Sequence, residues 1–233
     1  MPAIDLNADL AEGFPWDEEL LGVVTSANIC CGIHAGSVQL CALTMRLAAE
    51  RGVRVGLHPG YNDPETMGRA PRPLLDSVTR VGTHVTLKTQ CQLAMKHGVQ
   101  VGFLKPHGAF YHQSASEEAG QELLVELLLD CQVPLMGLPY SRHAEAAALA
   151  EVAFIREGFA DRRLDDRGYL LPRSDPRALI DDPQEAAAQA LKIVGDVDTI
   201  CLHGDRPGCV ERAIAVRKAL EAAGIRIGLP HST

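Results

Sequence analysis

The sequence has no excess of positive charge. Its 22 Lys and Arg stand against 30 Asp and Glu, a formal net charge of −8. That weighs against nucleic acid as the main partner, because such affinity comes largely from neutralising phosphates. A nucleotide remains compatible, since it needs only a local positive site. No apolar run approaches the roughly 20 residues that a helix needs to cross a bilayer. The opening residues Met1, Pro2, Ala3, Ile4 and Asp5 lack the basic and apolar regions of a signal peptide. The seven cysteines are odd in number and none form a C-x-x-C pair, so no disulfide framework is expected. Cys30, Cys131 and Cys201 sit in or beside apolar runs, as reduced buried thiols do. Together these absences predict a cytoplasmic protein with no nucleic-acid partner and no membrane contact.

The familiar motifs of several enzyme classes are missing too. There is no G-x-G-x-x-G after a strand, no G-x-x-x-x-G-K-[ST] and no G-x-S-x-G. Covalent serine catalysis and a Walker-type ATPase are therefore unsupported. No repeat, low-complexity tract or linker divides the chain. An apolar fraction of 46% and a charged fraction of 22% are ordinary for one good core. At 233 residues the chain has the usual length of a single α/β barrel, so residues 1–233 are expected to form one domain.

What is present is a recurring β-like run followed by a helical pattern. Strands are expected over 2–8, 25–30, 53–58, 99–105, 134–138, 152–156, 197–203 and 225–229. Helices are expected over 38–51, 74–97, 117–129, 142–150, 183–194 and 207–223. Gly52, Gly98 and Gly224 stand where a helix ends, as left-handed caps do. Such alternation predicts a parallel sheet covered by helices: an α/β fold, a TIM-like (β/α) barrel of seven or eight units, with an open doubly wound sheet as the alternative. Residues 159–182 are polar, rich in Pro and Arg and aperiodic. They predict a long functional loop over one end of the sheet.

In such a barrel the chemistry sits at the carboxyl ends of the strands. Four of the nine histidines fall there: His34, His58, His107 and His203. The others belong to expected helices (His84, His97, His143), a loop (His112) or the tail (His231). On the first strand Asp5, Asn7 and Asp9 share one side while Ile4, Leu6 and Ala8 share the other, with Glu12 just beyond. Three stacked polar groups facing a lumen are costly without partners; an edge strand with one wet face is the plainer reading. Asn28 and His34 end the second unit around glycines, with Ser37 placed to cap the next helix. His58 and Arg69 flank the Pro-Gly turn of the third. Lys105 and His107 share one face of the fourth strand's end. A lysine there needs a carboxylate, with Asp5 or Asp9 as candidates, or an anionic ligand. Later come Glu157 to Arg163, then Leu171-Pro172-Arg173, and finally His203 and Asp205. Asp205 precedes Pro207, so helix capping alone could account for it. Cys30 and Cys31 could be nucleophiles or small buried hydrophobes.

Six co-linear segments then resemble the LamB/YcsF family over nearly the whole chain. They are Asp-Leu-Asn-Ala-Asp at 5–9, Ser-Ala-Asn-Ile-Cys-Cys-Gly-Ile-His-Ala-Gly at 26–36 and His-Pro-Gly-Tyr at 58–61. With them stand Lys-Pro-His-Gly-Ala-Phe-Tyr at 105–111, Phe-Ala-Asp-Arg at 159–162 and Ile-Cys-Leu-His-Gly-Asp-Arg-Pro at 200–207. Departures from the family pattern fall at Ala11, Pro15, Ser37, Arg142 and His143, in loops and caps. The resemblance implies a distorted barrel similar to the polysaccharide deacetylase (glycoside hydrolase/deacetylase) superfamily. It also implies the A component of a 5-oxoprolinase, opening 5-oxo-L-proline to L-glutamate with hydrolysis of ATP, together with subunits B and C. ATP is then held chiefly by the partners, and a divalent metal is left open.

On that reading the catalytic set is Asp5, Asn7, Asp9, His34, His58, Lys105, His107 and His203. The substrate-binding set is Glu12, Asn28, Arg69, Tyr111, Asp161, Arg162 and Asp205. Lys105 and Arg69 are expected to hold anions, Asp5, Asp9 or a neutral histidine to activate water, and His107 or His203 to protonate the leaving group. The competing reading is a metal-dependent deacetylase or amide hydrolase acting on a carbohydrate or lactam. A non-catalytic sugar-binding barrel is the third.

Overall fold

Alternating strands and helices close into a barrel in the computed structural model, which describes residues 3–229. Pro2, where the first strand is expected to begin, and His231 of the tail lie outside the described residues. Seven parallel strands form the closed sheet: β1 (Ala3–Leu10), β2 (Ser26–Cys30), β3 (Arg54–His58), β4 (Val101–Leu104), β5 (Leu135–Gly137), β6 (Phe154–Phe159) and β7 (Thr199–His203). Each pairs with the next, and β1 pairs with both β2 and β7 to complete the ring. The expected eighth strand is the two-residue β8 (Arg226–Ile227), which adds parallel to the start of β1.

Six helices lie where the periodicity places them: α2 (Val38–Glu50), α3 (Ser77–Lys96), α5 (Glu118–Cys131), α6 (Arg142–Leu149), α7 (Pro183–Ile193) and α8 (Cys209–Ala222). Two more have no counterpart among the expected helices, α1 (Asp17–Leu21) and α4 (Gly108–Ser116). The first is a single turn. The second buries six of its nine residues; lacking a polar face, it has no amphipathic period to read. Ser37 caps α2 by accepting from the Leu40 N–H, and Gly52, Gly98 and Gly224 all have positive φ. No helix among the described residues is long and apolar enough to cross a membrane, and all seven cysteines are free.

β1 is central, so the edge-strand reading does not hold. Ile4, Leu6, Ala8 and Leu10 pack into the main apolar cluster with Ala27, Ile29, Ile200 and Leu202. Asp5, Asn7 and Asp9 point the other way, into the lumen, and every one has partners. Asp5 accepts from Thr25, Ser26, Thr199 and Arg54 at 2.6, 2.8, 2.7 and 3.0 Å. Asn7 donates to the Thr199 hydroxyl, and the Asn28 amide bridges Asn7 and Asp9 at 2.7 Å each. Buried polar groups are tolerable when satisfied in this way.

One apolar ring fills the lumen beside them. Phe103 is fully buried, pairs across from Gly56 and lies under the Arg54 guanidinium at 4.8 Å. A Cβ on Gly56 would stand 2.2 Å from that ring. Gly56→Ala is therefore expected to destabilise by about 1–3 kcal/mol through overpacking. Urea unfolding of Gly56→Ala, Phe103→Leu and the double variant checks it: the smaller side chain must recover part of the loss. Strict additivity would mean that the ring is not what Gly56 accommodates.

Residues 159–182 form the anticipated loop. It carries only isolated antiparallel bridges, Arg162 to Leu179 and Leu164 to Leu170, and folds over the barrel mouth.

Candidate active site

A cavity of about 520 Å³ opens at the carboxyl ends of the strands. Asp9, His58, Lys105, His107 and His203 line it, with Arg69, Tyr111 and Arg162 of the expected binding set. Five of the eight expected catalytic residues are thus brought together. Asp5 and Asn7 lie deeper in the lumen with Asn28, bound to one another's neighbours and away from the cavity wall. His34 is fully buried behind the wall, stacked on His107 with ring centroids 4.0 Å apart. Its two nitrogens meet Cys30 and Cys31 at 3.2 Å. Burial pushes the Cys30 thiol well up. Cys31 is raised to about 12, chiefly by its bond to Cys30. Neither thiol is poised as a nucleophile.

Lys105, the residue after β4, points inward and is 2% exposed. Its ammonium reaches Asp9 Oδ1 and Glu157 Oε1 at 2.8 Å each, and Cys201 Sγ at 3.2 Å. Two carboxylates offset one cation, so Lys105 is not free to hold a substrate anion. Burial opposes its charge, yet Asp9 holds it well above the ordinary lysine range. Asp9 is likewise disfavoured by burial and held well below the ordinary carboxylate range by Lys105 and His58. Glu157 is not among the expected site residues. Its strand runs three residues beyond the expected end at 156, so it reads as loop in sequence, although Glu157 and Phe159 are in phase with a lumen face. Glu157 also accepts from the Tyr111 hydroxyl at 2.9 Å.

The histidine tautomers follow from the carbonyls around them. His58 Nδ1–H donates to the Lys105 carbonyl and His107 Nε2–H to the Met67 carbonyl, both at 2.8 Å. That leaves His58 Nε2 and His107 Nδ1 facing one another at 2.9 Å, so a proton or a metal cation must lie between them. Burial and the neighbouring His34 and His58 push His107 well down, whereas Asp9 raises His58 against its burial. The shared proton therefore belongs to His58, which points it at the neutral His107 with Asp9 Oδ2 3.4 Å away.

Glu12 lies behind this pair, with Oε1 3.3 Å from His107 Nδ1 and without a hydrogen-bond partner. Burial, with the nearby Asp9, raises its carboxyl from 4.5 to about 7. Between these two pH values the folded chain keeps a proton that the unfolded chain has released, so stability falls as pH rises through that window. The loss comes to about 3 kcal/mol. Glu12→Gln removes this penalty. Its stability relative to the parent is expected to rise from pH 4.5 to pH 8, read by urea unfolding in chelator-treated buffer. A pH-independent difference would show that Glu12 ionises normally.

His203 ends β7 on the opposite wall. Its Nδ1–H donates to Asp161 Oδ1 at 2.9 Å while its backbone N–H donates to Asp161 Oδ2 at 2.9 Å. Asp161 is fully buried; burial opposes its charge, but His203 holds it down at about 2. The imidazole is thus held with Nδ1–H on Asp161 and Nε2 turned to the cavity, 3.7 Å from Asp9 Oδ2. Asp205 does not cap a helix: α8 begins only at Cys209, after Gly208. Its carboxylate instead takes Arg69 at 2.7 Å and Arg173 at 2.6 Å. Arg173, on the long loop, is a further residue outside the expected sets; a loop arginine carries no local signal of its distant partner.

Three groups among the described residues offer the atoms of a cation site, one of them Asp9, Cys201 and His203. Asp9, Glu12, His58 and His107 present ligand atoms within 4.8 Å of one another, as do Cys30, Cys31 and His34. In the four-residue set each histidine already gives its outer N–H to a carbonyl, the arrangement usual around metal-bound imidazoles. Those residues fit a divalent ion bound by nitrogen and oxygen.

Comparison with known proteins gives the family and the fold. The model of the LamB/YcsF family matches residues 4–232. A protein of Neisseria meningitidis serogroup C, named as the A component of 5-oxoprolinase, is 40% identical, over 97% of this chain and 99% of its own. One of the same name from Methylococcus capsulatus is 42% identical, over 96% of this chain and 94% of its own. The crystal structure of a lactam utilization protein from Thermus thermophilus superposes with a TM-score of 0.85 at 30% identity, over 98% of this chain and 100% of that one. A T48 deacetylase shares the fold alone, with a TM-score of 0.54 at 15% identity, over 97% of this chain and 87% of that one.

Proposed function

We propose that this chain, which belongs to the LamB/YcsF family, is the lactam-opening component of an ATP-coupled 5-oxoprolinase. The observation that carries the reading is His203, locked by Asp161 with Nε2 free at the cavity wall. Relatives named as the A component of 5-oxoprolinase supply the substrate, 5-oxo-L-proline. Their names also support a multi-subunit assembly, in which subunits B and C bring ATP to a chain that carries no nucleotide motif.

An unstrained lactam resists water, so the oxygen is first phosphorylated by the partner subunits, with ADP leaving. His203 Nε2 then takes a proton from water as its oxygen bonds to the ring carbonyl carbon. The carbon–nitrogen bond breaks as the ring nitrogen takes the proton held between His58 and His107, and the hydroxyl left by the water returns its proton to that pair as it becomes the acyl-phosphate carbonyl. A second water splits the remaining acyl phosphate into the glutamate side-chain carboxylate and phosphate. Lys105 and Glu157 hold Asp9 against this pair and so set its orientation. Of the expected bases Asp5 does not reach the cavity and Asp9 is bound by Lys105 and Asn28, which leaves a histidine. His203 takes this duty in place of protonating the leaving group. The test is glutamate release and ATP hydrolysis with 5-oxo-L-proline, by this chain with and without subunits B and C. Turnover is expected only with all three, and none with all three would overturn the reading.

A second reading, metal-dependent amide hydrolysis or deacetylation, is favoured by the convergence of Asp9, Glu12, His58 and His107. A divalent ion there would polarise the carbonyl or a water. Stoichiometric metal in the purified chain, lost in Glu12→Gln, would support it.

A further inference from the structure

The cavity carries more positive charge in its lining than the chemistry above uses. Arg69, Arg162 and Arg173 all line it. Two carboxylates face the three: Asp205 Oδ2 takes both Arg69 and Arg173, while its Oδ1 is buried without a partner, and Glu12 Oε2 lies 3.8 Å from Arg69. Arg162 is 3% exposed, gives one nitrogen to the Leu171 carbonyl, and has a buried Nε with no partner. The neighbouring Asp161 is spent on His203. Burial and the nearby Arg173 push the Arg162 guanidinium down to about 10, and His112 falls to about 4, through burial and then the charges of Arg162 and Arg173. Three guanidinium forks against Asp205 and Glu12, the latter a carboxyl raised to about 7, leave at least one charge over. A buried fork lacking a partner is costly unless a ligand completes it.

We propose that Arg162, Arg173 and Arg69 form a subsite for a phosphoryl dianion carried by the substrate. It rests on the reading of the chain as the component that opens a phosphorylated lactam, and it assigns where that phosphoryl group sits. A carboxylate is satisfied by one fork, whereas a phosphoryl group offers three oxygens and two charges to an Arg cluster. Lys105, offset by Asp9 and Glu157, is excluded from that task. The long loop then has a purpose, since it brings Arg162 and Arg173 over the mouth together.

Calorimetric titration of the full chain with inorganic phosphate at low ionic strength tests it. One site is expected, weakened at least ten-fold in Arg162→Gln and in Arg173→Gln. Asp205→Asn removes the competing carboxylate and is expected to tighten phosphate several-fold, an effect that structural damage would not produce. No phosphate binding by the parent chain, or unchanged binding in all three variants, overturns the proposal. So does displacement of phosphate by 5-oxo-L-proline itself, which would make the subsite one for the substrate carboxylate. Failure of the functional reading is distinct: phosphate binding would persist while 5-oxo-L-proline gave no turnover with subunits B and C.

Discussion

Lys105→Met is expected to abolish turnover and to lower the unfolding free energy by about 3–5 kcal/mol, the usual result of removing one partner from a buried ion cluster. Lys105, Asp9 and Glu157 are all nearly or wholly buried, and the ammonium is the cation within 2.8 Å of both carboxylates. Methionine fills a similar volume, so the loss is one of charge and not of packing. Without the ammonium one carboxyl must take up a proton, and the destabilisation should be smaller at pH 5 than at pH 8. Urea unfolding at both values, beside glutamate release with all three subunits, reads the two effects. Stability within about 1 kcal/mol of the parent at pH 8 would show that solvent, not Lys105, stabilises Asp9 and Glu157.

Asp161→Asn is expected to lower kcat by about 10²–10⁴, the range for loss of a positioned general base, with the fold retained. The Asn oxygen can still accept the His203 backbone N–H, which leaves its NH₂ facing Nδ1. His203 must then carry its proton on Nε2, the nitrogen that takes the proton from water, and cannot accept another. Because Asp161 is held down at about 2, its own titration does not shape the pH profile. The effect belongs in kcat, with KM changing little. His203→Ala should lose about as much, and the double variant little more, since residues acting as one unit are not additive. Independent, multiplying losses would place the base elsewhere.

Much of this site is legible in the sequence. The alternation of strand and helix leads to the barrel. Asp9, His58, Lys105, His107 and His203 stand out because each lies at a strand end in lumen phase. Asp5, Asn7 and Asn28 group with them for the same reason, yet they lie deeper. Side-chain alternation reports which face a residue occupies but not its height, because height depends on the stagger between strands. Glu157 escapes a sequence reading because polar residues at 156 and 157 hide the strand, and α4 because burial on all sides erases its period.

The sequence by itself determined which side chains point inward, since alternation along a strand is local geometry. It also determined the family, through motifs that survive in order. Only the tertiary structure decided who pairs with whom. Lys105 meets Asp9 across 96 positions and Arg69 meets Asp205 across 136. Barrel closure brings the ends of non-adjacent strands together, and nothing in a local pattern encodes that distance. It decided the protonation states as well. The same carboxyl is held well below its ordinary range at Asp9 and raised to about 7 at Glu12, because burial and neighbouring charge, not residue type, set the cost of each ion.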